Sequence, residues 1–144
     1  MERGSWTTYV RTRTPVVPVP LADGTVKTLR ELTTQDPVLL LYVSQTCSAC
    51  QAVIGGLRAY RKFLPEVEVR LLPYQSPANS RLTETVEPQS LHDPMGHVTD
   101  SFDDMQSTPS ALLFGAGGML AGGPVAGAKN IDAFVNQMRA ESDS

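Results

Sequence analysis

The sequence predicts an α/β domain: a mixed central sheet flanked by helices, with an N-terminal β-hairpin extension. Three observations predict it. Residues 38–43, "VLLLYV", form a continuous apolar run too short for most helices, the pattern of a strand covered on both faces. The period then changes, with Val53, Leu57, Tyr60 and Leu64 on one helix face, before strand-like alternation at Val67, Val69 and Leu71. Such a strand–helix–strand unit requires a crossover and a parallel strand pair. Finally, "SALLFG" (110–115) and Met119-Leu120-Ala121 lie close enough across a glycine turn to pair antiparallel.

In chain order, residues 1–14 are polar and read as a flexible arm, with Trp6 and Tyr9 able to dock on a body spanning 15–144. In "PVVPVPLADGTVKTL", Pro15, Pro18 and Pro20 exclude a helix and a central strand. Asp23-Gly24, between Val19/Leu21 and Val26, marks an edge hairpin. "TLRELT" allows a short helical turn. The helix after the buried strand runs from about Cys47 to Phe63 and stops at Pro65. Gly55-Gly56 is a fault within it, costing about 1 kcal/mol per glycine relative to alanine and permitting a bend or a close helix approach. Residues 73–92 are rich in Pro, Ser, Asn and Thr, an irregular excursion with room for a short strand near 85–91. "DPMGHVTDSF" turns into a short helix with Val98 and Phe102 on one face. Gly122, Gly123 and Gly127 surround a bend before the last helix, where Asn130 is the expected N-cap. Ile131, Phe134, Val135 and Met138 make its apolar stripe. Tyr42 and Phe114 read as core, and Tyr60 and Phe63 as core or rim.

The totals bound the function. A chain of 144 residues suits one domain and buries a core without staples. Its 41% hydrophobic and 19% charged residues fit a soluble globule rather than a disordered chain. A net charge of −3 offers no basic footprint for nucleic acid. No apolar run approaches the roughly 20 residues of a membrane span, and "MERGSWTTYVRTRTP" lacks the apolar stretch of a signal peptide. "GAGG" (115–118) is no dinucleotide fingerprint, since no G-x-G-x-x-G opens a helix there. Asp103-Asp104 reads as a solvated acidic pair.

Both cysteines of the chain, Cys47 and Cys50, stand in "SQTCSAC" at the strand-to-helix junction, with Thr46 as N-cap or the residue before it. A helix N-terminus carries unpaired N–H groups and about half a positive charge, and both stabilise a thiolate. Thiols in such positions fall to pKa values of about 3.5–7.5 from about 8.5. An attacking Cys47 forms a mixed disulfide, and Cys50, one turn in, resolves it. Cys47, nearer the helix end, is expected to be the more exposed. Two other uses compete. A structural crosslink over so short a loop constrains the unfolded chain little. A zinc site needs about four ligands, and His92 and His97, which could complete it, follow no finger spacing. Each histidine also has a plain structural reading.

The flanks carry a resemblance. "VLLLYVSQTCSACQAVIGGL" followed by "STPSALLFGAGGML" resembles the thioredoxin-like superfamily, from about Leu21 to the end of the chain. The hairpin "LADGTVKTLREL" and "HDPMGHVTDSF" look like the extracytoplasmic, TlpA-like branch of thiol-disulfide oxidoreductases, and "YVSQTCSAC" is especially similar to the MauD-type methylamine-dehydrogenase maturation proteins. The resemblance implies a thioredoxin-like fold and an enzyme exchanging disulfides with cysteine-containing protein substrates and a redox partner protein. Cys47 matches the attacking and Cys50 the resolving cysteine. Pro109 matches the family's cis-proline, and Thr108 before it the residue offering backbone hydrogen bonds to an extended substrate. The plainer role of Pro109, starting the strand "SALLF", is compatible with this. Thr46, beside the attacking thiol, is a further candidate for substrate contact. The resemblance further implies no cofactor beyond the Cys47–Cys50 disulfide, a monomer, and a location outside the cytoplasm on an N-terminal membrane anchor not contained in this sequence; the alternative is cytoplasmic.

The departures concern the proton. Where thioredoxins carry a buried acid six residues before the first cysteine, this chain has Leu41. Where the cytochrome-maturation reductases carry an acid three residues after the second cysteine, it has Val53. Thr46 replaces the usual tryptophan and Ser48-Ala49 the usual Gly-Pro. No internal proton acceptor accompanies Cys50, so the direction of electron flow stays open. The competing class is a non-catalytic thioredoxin-fold binding module, or a metal-binding protein using the same cysteines.

Overall fold

The structure, a computed structural model, describes residues 16–21, 23–34, 36–44, 47–73, 91–93, 96, 98–102, 107–115 and 119–142. The N-terminal arm, residues 74–90 with most of the expected strand near 85–91, Asp103-Asp104 and the turn at 116–118 lie outside the described residues.

Pro18–Pro20 (β1) and Val26–Thr28 (β2) pair antiparallel about the Asp23-Gly24 turn. They form a two-stranded sheet of their own rather than an edge of the main one. Prolines explain the separation, because they leave gaps in any ladder they join. The short helix Leu29–Leu32 (α1) follows at once, closed by a capping box between Thr28 and Glu31.

Among the described residues, the main sheet has four strands in the order β4-β3-β5-β6. Val38–Val43 (β3) pairs parallel with Glu68–Pro73 (β4) and antiparallel with Ser110–Gly115 (β5). Met119–Ala126 (β6) closes the order against β5. Between β3 and β4 run the helices Ser48–Gly55 (α2) and Leu57–Phe63 (α3), and Ala128–Ser142 (α4) ends the chain.

The unbroken apolar run of β3 has a direct cause. Leu39, Leu41 and Val43 face one core, with Cys50, Val53, Leu57 and Tyr60 of α2 and α3 and Ile131, Phe134, Val135 and Met138 of α4. Val38, Leu40 and Tyr42 face a second, with Val19, Leu29, Leu91, Val98, Phe102 and Phe114. Every residue of the strand is buried, and each such aliphatic side chain contributes about 1.5–3 kcal/mol of transfer free energy. β4 departs from the expected one-sided alternation for the same reason: Leu71 and Leu72 are both fully buried, one in each core.

The hairpin is tied to the sheet by 91–93. The amides of Leu91 and Asp93 donate to the carbonyls of Leu71 and Pro73, while that of His92 donates to Pro20. This segment occupies the outer edge of β4. Beyond it, Asp93, itself buried, accepts hydrogen bonds from the amides of Val98 and Thr99, fixing the 3₁₀ turn Thr99–Ser101. That turn brings Phe102 edge-on to Phe114, with ring centroids 6.0 Å apart.

Three boundaries differ from the sequence expectation. The helix after Cys47 is two helices, broken at Gly56, where an added Cβ would lie 3.1 Å from the Tyr60 ring. Tyr60 packs into that gap, and burial, with the Asp132 carboxylate beside it, raises its hydroxyl pKa above the usual 10.0. Gly122 and Gly123 lie within β6, which continues to Ala126, because a register shift in its pairing with β5 absorbs them. Asn130 is not the N-cap of α4, which begins at Ala128. The Ile131 amide already bonds the Gly127 carbonyl, and Asn130 instead donates its side-chain amide to Ala126.

Candidate active site

The two cysteines sit where β3 delivers the chain to α2. The sequence offered Thr46 as the cap or as the residue before it; Thr46 itself lies outside the described residues. The structure gives the cap to Cys47. Its backbone is extended (φ −91°, ψ 118°), and its Sγ accepts the Cys50 amide hydrogen at 3.1 Å. The sulfur therefore takes the place of the serine or aspartate oxygen that usually caps a helix. On reduction, negative charge on Cys47 would be held by that N–H and by the positive end of the helix. No acidic residue in the first turn opposes it.

Cys47 and Cys50 are joined as a disulfide, with Cα atoms 5.2 Å apart. Their exposures differ as the helix position requires. Cys47 is partly exposed, while Cys50 is fully buried. Cys50 shares its core with Leu41, Val43 and Val53, all without exposed surface. Leu41 and Val53, the two positions noted for lacking an acid, thus both belong to the apolar layer that receives the Cys50 sulfur. Burial of this kind disfavours a thiolate, in contrast to the environment of Cys47.

A loop from a distant part of the chain completes the site. The Thr108 carbonyl oxygen lies 3.6 Å from Cys47 Sγ, across 61 residues of sequence. The Thr108–Pro109 peptide is cis. Thr108 is half-buried and Pro109 buried. The loop is held at both ends: Ser110 Oγ donates to the Ser107 carbonyl at 2.7 Å, and the Gly127 amide donates to the Pro109 carbonyl at 2.9 Å. The sequence reading missed both supports. Ser107 and Ser110 flank Thr-Pro and could have been noticed as a local side-chain-to-backbone pair. The Gly127 contact depends on the β5–β6 pairing and has no local signal.

The alternative metal set is not assembled by what is described. His92 is buried in the segment between the hairpin and β4, and His97 lies outside the described residues. Among the described residues, no group of three or more His, Cys, Asp or Glu side chains is placed to hold a metal ion. Among them, too, no helix is long and apolar enough to cross a membrane.

No protein-family model matches the chain, and no curated protein matches it by sequence. Solved structures do match. A secreted disulfide oxidoreductase of Mycobacterium tuberculosis, homologous to Escherichia coli DsbE, superposes with TM-score 0.64 at 16% identity, covering 87% of this chain and 96% of that one. A Chlorobium tepidum protein assigned as the thiol:disulfide interchange protein DsbE gives 0.71 at 17% identity, covering 89% and 94%. The thioredoxin domain of a Bacteroides vulgatus thiol-disulfide oxidoreductase gives 0.62 at 14% identity, covering 87% and 96%. With a four-stranded mixed sheet and a Cys-x-x-Cys pair at the tip of the helix after its central parallel strand, the chain has the thioredoxin-like fold.

Proposed function

We propose that the protein is a thiol-disulfide oxidoreductase acting on cysteine pairs of other proteins. The observation that carries this is the division of labour at the helix tip. Cys47 is partly exposed, with its sulfur on an amide hydrogen, and Cys50 is sealed behind it. A reduced Cys47 thiolate attacks one sulfur of a substrate disulfide, and the other substrate sulfur leaves as a thiolate. Cys50, deprotonated, then attacks Cys47 Sγ. The second substrate sulfur leaves, the Cys47–Cys50 disulfide forms, and two electrons have passed to the substrate. Run backwards, the same steps oxidise a substrate dithiol. Thr108 and Pro109 present backbone to a substrate chain lying across Cys47. Thr46, which precedes the attacking cysteine in sequence, is a further proposed substrate contact. No cofactor beyond the dithiol enters these steps, and one copy of the chain supplies every group in them, so the working unit is a monomer.

The secreted Mycobacterium tuberculosis neighbour supports a location outside the cytoplasm, and the TlpA-like resemblance supports a membrane tether. Replacing Cys50 with alanine tests the reaction. The Cys50→Ala variant should accumulate mixed disulfides through Cys47 that a reductant releases, while Cys47→Ala accumulates none. If Cys50→Ala traps nothing and the wild type neither reduces nor oxidises a model disulfide, the domain is a binding module.

A further inference from the structure

The helices that follow the dithiol carry a charge pattern unlike the rest of the chain. Residues 37–65 include Arg58, Arg61 and Lys62 but no Asp or Glu, in a chain of net charge −3. Where α2 gives way to α3, Ile54, Gly55, Leu57, Arg58 and Arg61 line an open notch of about 450 Å³. Small-ligand sites span about 300–1,000 Å³. Leu57 is nearly buried and Ile54 half-buried, giving the notch an apolar wall. Arg61 donates Nε and Nη2 to the Val69 carbonyl at 3.1 and 2.9 Å, which fixes its guanidinium against β4. Arg58 is exposed and makes no ion pair among the described residues. Gly55 contributes no side chain to the notch, and a Cβ built there meets no atom within 4 Å, so a larger residue has room to project from this position.

Position links the notch to the dithiol. Ile54 follows Cys47 by seven residues, two helical turns along the same face of α2, or about 10 Å along the axis, and Arg58 stands in the first turn of α3, just past the break at Gly56. An extended chain advances about 3.3 Å per residue. A polypeptide reacting at Cys47 therefore reaches the notch with a side chain about three to five residues from its reactive cysteine. The Arg58 guanidinium is the group that pairs with a carboxylate there, and the Ile54/Leu57 wall favours an aliphatic neighbour over a bare anion.

We propose that the notch is a substrate-specificity site. It takes an acidic side chain, beside an aliphatic one, about three to five residues from the cysteine that reacts with Cys47. This rests on the thiol-exchange reading above, so its primary test uses no thiol chemistry. A fluorescein-labelled, cysteine-free peptide of alternating glutamate and leucine is titrated with the wild-type protein and followed by anisotropy. Binding should be saturable and should weaken with salt. It should fall about three- to tenfold with Arg58→Glu and be lost with Gly55→Leu. Thermal melts of both variants verify folding; leucine at 55 is a better helix former than glycine. Absence of binding, equal binding by both variants, or displacement by inorganic phosphate as effective as by unlabelled peptide would overturn the proposal. In a second arm, two cysteine peptides differ only in glutamate or glutamine four residues from the cysteine. The glutamate peptide should exchange faster with wild type, and Arg58→Glu should remove the advantage; equal rates with wild type refute the specificity role. If neither cysteine peptide exchanges while the anisotropy behaves as expected, the notch stands as an acidic-peptide site and the thiol-exchange reading falls.

Discussion

Leu40 and Leu41 are adjacent on β3, both without exposed surface, and they face opposite cores. Only Leu41 shares its core with Cys50. Truncating either to alanine removes the same atoms from an equally buried site, so each change should cost about 2–5 kcal/mol in unfolding free energy. Against the roughly 5–15 kcal/mol of a typical domain, both variants should remain folded. Their chemistry should differ. Space opened on the Cys50 side admits water and eases ionisation of the resolving thiol. A tenfold gain in thiolate, offset by about threefold lower nucleophilicity at a Brønsted slope near 0.5, speeds resolution about threefold. The assay is stopped-flow reaction of the reduced protein with a chromogenic aromatic disulfide. The first aromatic thiolate is released by Cys47, and the second when Cys50 resolves the adduct. Leu41→Ala should speed the second phase at neutral pH, and Leu40→Ala should leave it unchanged. Equal acceleration by both, or none by Leu41→Ala despite the expected loss of stability, would refute the claim that the apolar layer around Cys50 limits its deprotonation.

Two further predictions concern the frame. Gly123 has φ 87°, and a Cβ there would lie 2.5 Å from the Ala111 carbonyl oxygen. Gly123→Ala should therefore lower stability by about 2 kcal/mol or more, read by urea unfolding; an unchanged midpoint would disprove the clash. Hydrogen bonds from the Thr28 amide and then its hydroxyl hold the Glu31 carboxyl below the usual value of 4.5. A depressed carboxyl pKa adds stability that is present above the unfolded value and lost as pH falls through the lower folded one. Wild type should thus lose stability below about pH 4.5 more steeply than Glu31→Gln; parallel acid profiles would show that the capping box does not contribute.

Much of the fold was legible because the patterns carrying it are local. The apolar run of β3, the stripe Val53-Leu57-Tyr60-Leu64 and the turn Asp23-Gly24 each follow from residue spacing alone, and the structure realises each of them. At 14–17% identity the structural neighbours share this arrangement with little of the sequence, which accords with the absence of any family or curated match. The errors fell where a competing contact, near or far in sequence, decides. Asn130 is a favourable cap by type, but the turn at Gly127 starts α4 before it. Gly122-Gly123 looks like a bend until its pairing with β5 makes it part of β6.

The dithiol divides in the same way. Residue spacing was enough to show that Cys47 and Cys50 open a helix after a buried strand, and the family resemblance marked Leu41 and Val53 as positions where an acid could have been. Spacing and hydrophobic period are properties of the chain, so no folded coordinates are needed to read them. Folding was needed to establish that the Cys47 sulfur is itself the helix cap, that Cys50 lies in a sealed apolar layer, and that the Thr108 carbonyl stands 3.6 Å from Cys47. Burial and a contact across 61 residues exist only once β3 has paired with β5 and brought the 107–110 loop to the tip of α2.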